Sequence, residues 1–354
     1  MSAPSVFVIA EAGSNWRMGT PARDLEMAYR LIDVAARAGA DAIKFQTYRA
    51  KTVYVEGAGS SDYLANAGEE RSINDIFEDL EMPYDMIPRL AAHAASVKLE
   101  FMSTPFSVAD FAAVDPHVRR HKIASYEICH VRLIQAAAGT GKPLIMSTGA
   151  AAPTDIAFGL QTAREAGARD ITVLQCTASY PAPPRSLNLR VIPWLMEQFG
   201  VAAGLSDHST EPVVAATMAV ALGATVIEKH FTIDRRLPGP DHPFALEPDE
   251  LGQMVTAVRS AAEALGDGVK AVGPAEVELR AFAVRAIQAT RFIRAGEELV
   301  EGDNLDVLRP GRRPPGLHPR NLDALAGRRA ARDIEAGAGI MGDDVAPPIG
   351  GADS

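Results

Sequence analysis

Cysteine is nearly absent from this chain of 354 residues, with only Cys129 and Cys176 present, too few for a disulfide framework or a thiolate-based zinc site. Positive charge is also in deficit. The formal net charge of −10 excludes nucleic acid or an anionic membrane as the main partner, so a site for an anionic ligand must gather its own lysines or arginines against the overall field. No apolar run is long enough to span a bilayer, and the N-terminus lacks a basic stretch followed by a long apolar core, so a cytoplasmic protein is expected. What remains is ordinary globular composition, 47% hydrophobic and 23% charged, in a chain long enough for one large domain and a small one.

The organising stretch is VAAGLSDHST…ATVIEKHFT, Val201–Thr232. Two short apolar runs, Val201–Leu205 and Thr225–Ile227, each open into polar clusters, Ser206-Asp207-His208 and Glu228-Lys229-His230. Between them Glu211–Gly223 has the alanine content of a helix closed by glycine. Strand, helix, strand with chemistry at the strand ends is the unit of a parallel α/β barrel. Six earlier strands are predicted at Ser5–Ala10, Asp41–Tyr48, Glu100–Phe106, His121–Ser125, Pro143–Gly149 and Ile171–Thr177. Helical patterns follow at Arg23–Ala38, Tyr84–Ala95, Ala109–Val114, Val131–Gly139 and Thr154–Ala166, the last with Thr154 as N-cap, and Pro248–Leu265 closes the array. Arg49–Asp79 reads as a long loop with a short helix. Every polar cluster falls at a strand's C-terminal end, so the expected fold is a (β/α)8 TIM barrel. A doubly wound sheet would carry G-x-G-x-x-G after its first strand, and Glu11-Ala12-Gly13-Ser14-Asn15 is not that motif.

Gly266–Pro274 reads as a linker, beyond which short strands and tight turns predict a small β-rich domain. It has an internal echo, Arg291–Gly296 (RFIRAG) against Arg332–Gly337 (RDIEAG), and Gly350–Ser354 reads as a tail.

His208 and His230 at neighbouring strand ends can share one divalent ion and leave positions open for substrate or water. Glu11, Glu127 or Asp241 supplies a further ligand or an acid/base group. Lys44 and Lys122, with Ser125, Ser147 and Ser206, suit a phosphate and a carboxylate; the alternative is a pair of internal salt bridges to Glu11 and Glu127. A Schiff-base lysine is a third reading. Gln46 and Tyr180 are polar contacts for a sugar, Cys176 reads as buried filler, and the proline-rich Leu237–Phe244 loop holds Asp241 over the mouth.

With these residues in place the chain resembles the sialic acid (N-acetylneuraminate, nonulosonate) synthase family. The likeness rests on AEAGSN at 10–15, IKFQT at 43–47, MSTPF at 102–106, HKIAS-Y-E at 121–127, MSTG at 146–149, QCT-x-x-YP at 175–181, GLSDH at 204–208, EKHFT at 228–232 and PGPDH at 238–242. It implies a barrel over 1–270, a linker over 271–284, an antifreeze-like (SAF) domain over 285–347 and a tail over 348–354. It also implies condensation of phosphoenolpyruvate with an open-chain N-acetylhexosamine, N-acetylmannosamine or a relative, with release of phosphate. A diacetamido-hexose leading to legionaminic- or pseudaminic-type acids is the alternative acceptor.

Under that resemblance His208 and His230 hold the metal, Mn2+ first, with Mg2+ or Co2+ as substitutes. Lys44, Lys122, Ser125, Ser147 and Ser206 hold phosphoenolpyruvate. Glu11, Gln46, Glu127, Tyr180, Glu228 and Asp241 serve the sugar and proton transfer, with Glu11, Glu127, Glu228 and Asp241 as the catalytic acids. Arg309, in the LRPG segment, reaches the sugar of the other subunit in a domain-swapped homodimer. Three departures from the family pattern fall near the expected substrate: Trp16 where His is usual, Ala178 where Asn is common, and a loop asparagine not assignable between Asn66 and Asn74. From other classes, a barrel metallohydrolase and a non-catalytic binding protein are the competing readings; the first lacks an H-x-H pair on strand one.

Overall fold

The computed structural model describes residues 6–60 and 71–347, so Ser5 of the first expected strand, Asn66 and the 348–354 tail lie outside the described residues. The chain divides into two compact units, Met1–Gly268 and Val269–Ser354.

In the first unit β1 (Phe7–Gly13), α1 (Pro21–Arg37), β2 (Ala42–Thr47), α2 (Ala50–Val53), α3 (Ile73–Asp79), α4 (Met86–Ser96), β3 (Glu100–Pro105), α5 (Val108–Val114) and β4 (His121–Ile123) lead into a second half. That half runs α6 (Val131–Ala138), β5 (Leu144–Ser147), α7 (Pro153–Glu165), β6 (Ile171–Cys176), α8 (Val191–Phe199), β7 (Ala202–Asp207), α9 (Val214–Ala221), β8 (Val226–His230) and α10 (Pro248–Leu265). All eight strands are parallel, in the order β3-β2-β1-β8-β7-β6-β5-β4. Pairing of β1 with β8 curls the sheet into a barrel, and β3 and β4 lie side by side across the seam. The alternative open sheet would not join its first strand to its last.

A plug of Ile9, Ala42, Met102, Ile145, Leu174 and Val226 fills the barrel interior. Side chains alternate along a strand, so the residue two positions on points the same way. Those residues are Glu11, Lys44, Thr104, Ser147, Cys176 and Glu228, and the interior therefore turns from apolar to polar in one step. The outer faces pack under the helices in one large core that includes Leu31, Ile43, Phe45, Leu133, Leu205 and Phe231.

Several boundaries differ from expectation. β7 runs on through Ser206 and Asp207, and β8 through Glu228, Lys229 and His230, because the ladder continues beneath polar side chains. Thr154 is not the N-cap of α7: Pro153 occupies the first turn, Ala152 is the cap, and its N–H donates to Asp155 Oδ2 at 2.8 Å. Helix α8, for which no expectation was drawn, carries Pro193 in its first turn, where the missing N–H leaves no bond unmade. α9 starts at Val214 rather than Glu211, whose carboxylate accepts from the Val213 and Val214 amides. No described helix is long and apolar enough to cross a membrane.

In the second unit the expected linker over 271–284 contains a helix, α11 (Val277–Ala283). Beyond it β9 (Ala286–Ala289) pairs antiparallel with β10 (Leu305–Leu308) over a core of Ile287, Ile293, Leu299, Leu305, Ile334 and Ile340. The two sequence echoes pair with each other: Ile293 N–H donates to the Ile334 carbonyl at 2.9 Å, and Ile334 N–H returns the bond at 2.8 Å.

Gly204 in β7 has no room for a side chain, since a Cβ there would meet the Val226 carbonyl and come within 2.7 Å of Leu174. Gly252, inside α10, faces open space. Gly204→Ala is expected to destabilise the barrel by about 1–3 kcal/mol and Gly252→Ala to stabilise it by about 0.5–1 kcal/mol, opposite shifts that thermal denaturation reads directly.

Candidate active site

A cavity of about 1200 Å3 opens at the C-terminal ends of the strands. Its floor is an ion network. Lys44 Nζ lies 2.6 Å from Glu11 Oε2 and 3.7 Å from Glu228 Oε2, and donates to Thr104 Oγ1 at 3.1 Å. Lys122 Nζ donates to Ser147 Oγ at 2.6 Å and lies 3.7 Å from Glu228 Oε1. Ser206 Oγ donates to the same Glu228 oxygen at 2.9 Å. All four charged side chains are buried. The carboxylate nearest Lys122 is thus Glu228, not the Glu127 of the alternative salt-bridge reading.

Burial sets the protonation. It pushes Glu11 up to about 7 against the pull of Lys44. It also pushes Glu127 up to about 7, with Lys122 pulling the other way. In Glu228 burial is outweighed by Lys122, Lys44 and the Ser206 hydroxyl, which hold it below the ordinary carboxylate range. Burial lowers Lys122, while in Lys44 it is overcome by Glu11 and Glu228 and the ammonium is reinforced. The arrangement therefore contains carboxyls poised near neutrality beside two ammonium groups, an environment suited to proton transfer next to an anion.

His208 and His230 stand at the ends of β7 and β8 with ring centroids 5.4 Å apart. His208 Nδ1 donates to the Thr177 carbonyl at 2.8 Å, which fixes the tautomer and leaves Nε2 with its lone pair. His230 Nδ1 is buried without a hydrogen bond, 4.0 Å from Asp241 Oδ2. Burial, with His208 and Lys44 adding repulsion, keeps the His230 ring neutral well below its ordinary value. In His208 burial is outweighed by the Cys176 thiol and the Thr177 carbonyl, and the value rises. The two buried imidazoles offer unused nitrogen donors of the kind that divalent cations take. No larger cluster of His, Cys, Asp and Glu suited to a metal forms among the described residues, so any further ligands would come from substrate or water.

The remaining predicted residues of the first unit gather round the same cavity. Gln46 Nε2 donates to Glu11 Oε1 at 3.2 Å. Ser125 Oγ accepts from the Gly149 amide at 3.0 Å. Tyr180 stacks on His208 with centroids 4.2 Å apart. Asp241 Oδ2 accepts from Ser14 N and Oγ at 3.3 and 3.2 Å, over Gly13, whose left-handed φ of 52° and missing Cβ allow the carboxylate to sit that close. Arg309 belongs to the second unit, where it is exposed.

One reading is corrected. Trp16 is buried and lines a separate cavity, not the one around Lys44 and His208, so its departure from the family pattern does not touch this site; Ala178 does line it. Cys176 is buried as expected, and its Sγ packs 3.9 and 4.0 Å from the two nitrogens of His208. Asn74, in α3, ties down the segment after α2, accepting from Ala58 N at 3.2 Å and donating to Val55 O at 3.1 Å. Residues not singled out from sequence include Ser14, Thr104 and the wall formed by Val53, Tyr54 and Phe77. Thr104 was legible from the two-residue step; the wall comes from a segment with no periodicity to read.

Taken together, a (β/α)8 barrel with buried ammonium groups, near-neutral carboxyls and paired imidazoles at the C-terminal mouth defines an enzyme of the barrel class. The chain belongs to the NeuB family, whose model matches residues 31–270, and it carries a SAF domain over 284–346. It is 42% identical to the spore coat polysaccharide biosynthesis protein SpsE of Bacillus subtilis, over 96% of this chain and 93% of that protein. It is 36% identical to a pseudaminic acid synthase of Campylobacter jejuni, over 96% of each chain. The crystal structure of SpsE superposes with a TM-score of 0.63 at 40% identity, covering 97% of this chain and 96% of that one.

Glu127 supplies a pH test. Its carboxyl is raised in the folded chain, so the proton it keeps stabilises the fold below about 4.5, and that contribution is lost as pH rises through about 7. Glu127→Gln never pays for ionisation. Relative to wild type it should gain about 1–3 kcal/mol between pH 4.5 and 8, read as a difference in denaturation midpoint at the two pH values.

Proposed function

We propose that this chain condenses phosphoenolpyruvate with the open-chain aldehyde of an N-acetylated amino-hexose to give a nonulosonic acid and phosphate. The observation that carries the reading is the meeting, in one cavity, of the Lys44–Lys122–serine group with the His208–His230 pair. The relatives include an N-acetylneuraminate-9-phosphate synthase as well as a pseudaminic acid synthase and a legionaminic acid synthase, so the reading takes an N-acetylmannosamine-type acceptor first and a diacetamido-hexose as the alternative. The cavity of about 1200 Å3 exceeds what one small ligand needs and has room for both substrates.

In this reading Lys44 and Lys122 hold the phosphate and carboxylate charges, and Ser125, Ser147 and Ser206 orient them. C3 of phosphoenolpyruvate bonds to the aldehyde carbon, the aldehyde oxygen takes a proton, water adds at C2, and the C2–O bond breaks to release phosphate. Glu11 and Glu127, both raised to about 7, exchange those protons near neutral pH. Asp241, Gln46 and Tyr180 face the sugar. His208 and His230 would hold a divalent cation, Mn2+ first, which supplies Lewis acidity toward the aldehyde oxygen. The same reading gives Arg309 to the sugar of a partner subunit, making the working unit a homodimer.

An acceptor panel with phosphoenolpyruvate and Mn2+, followed by inorganic phosphate and product mass, tests the proposal. His208→Ala and His230→Ala are each expected to lower phosphate release by about 100-fold or more. Wild-type rates in both variants would sink it. Hydrolysis that needs no phosphoenolpyruvate would transfer the chain to the metallohydrolase class.

A further inference from the structure

The strand ends that present the two imidazoles carry a second, outward-facing pair that the proposed chemistry does not use. Ser206 and Glu228 are register partners on the β7–β8 ladder, and so are Asp207 and Lys229. The first rung faces the cavity, where its side chains bond to each other. The second faces the opposite side: Lys229 Nζ lies 2.6 Å from Asp207 Oδ2, with both side chains 1% exposed. Lys229 Nζ also donates to the Ser209 carbonyl, to Ser209 Oγ at 3.1 Å and to the Glu211 carbonyl at 3.2 Å. Asp207 in turn accepts from Ser209 N at 2.8 Å and Ser209 Oγ at 3.0 Å. The next position along each strand is a histidine, facing the cavity again.

We infer that the Asp207–Lys229 pair positions His208 and His230, by locking the β7–β8 register and the turn through Ser209 that follows it. A slip of one residue in either strand would separate the two charges, send that strand's imidazole to the helix face and leave its aspartate or lysine inside. A buried ion pair adds little net stability over apolar residues of similar size, whereas it penalises any pairing that separates the charges. Its role here is register, not strength. The inference rests on the two-imidazole reading above, and adds residues that touch neither substrate nor cation.

The test is Mn2+ binding to the full chain, measured by calorimetry without substrates, in wild type, Asp207→Leu/Lys229→Met and Lys229→Arg. The apolar pair should keep its melting temperature close to wild type while binding Mn2+ about tenfold or more weakly, and Lys229→Arg, which keeps the charge, should recover most of that loss. Wild-type Mn2+ affinity in the folded apolar pair overturns the inference alone. If the apolar pair does not fold, the isosteric Asp207→Asn decides in the same way, a tenfold loss supporting the inference and unchanged affinity overturning it. A wild-type chain that binds no Mn2+ overturns the metal reading and this inference together.

Discussion

Two lysines and two glutamates share the buried mouth of the barrel, and their mutual compensation is what lets four ionisable groups exist there. An isolated charge in such a place costs several kcal/mol. Lys44 meets Glu11 at 2.6 Å, and Glu228 stands 3.7 Å from each lysine, so every charge has an opposite within reach. The balance is also what makes the site responsive. An anion arriving among the ammonium groups competes with the carboxylates for them, and Glu11 is the one already near neutrality, at about 7. Binding and proton uptake are then two views of the same redistribution.

The site is where it is because of a single step along the strands. The plug of Ile9, Ala42, Met102, Ile145, Leu174 and Val226 closes the barrel to water from below. One alternation later the same strands carry the charged and hydroxyl groups, raised to the mouth by a scaffold that does not yield. Backbone pairing places them with little freedom: Glu11 is the ladder partner of both Lys44 and His230. The outward residues of the same strands pack under helices, and at β7 and β8 they add an ion pair of their own.

Much of this was legible in the sequence. Apolar runs that end in polar clusters gave the strands, and Lys44 and Gln46, two residues apart and so on one face of β2, both line the cavity. The partner of Lys122 was not legible, because Glu228 and Glu127 are equally acidic on paper and only the ladder decides between them. Polar residues at the ends of β7 and β8 read as loop, since hydrogen bonding along a ladder leaves no mark on side-chain character. Helix α8 hid behind Pro193, which looks like a breaker unless its place in the first turn is known. Trp16 looked like a substrate contact because Asn15 beside it belongs to a motif, yet the turn after β1 carries it into a different cavity.

The second unit is built on an exchange. Ile293 and Ile334 give and take each other's backbone hydrogen bonds, and both side chains sit in the one small core. Arg291–Gly296 and Arg332–Gly337 are thus alike in sequence but incomplete apart, each lacking the backbone partner the other provides. Cutting the chain between them would yield two fragments with half an interior each, neither able to hold a shape in isolation. The indivisible piece is the whole duplicated stretch, and it can be transplanted or lost only as one block.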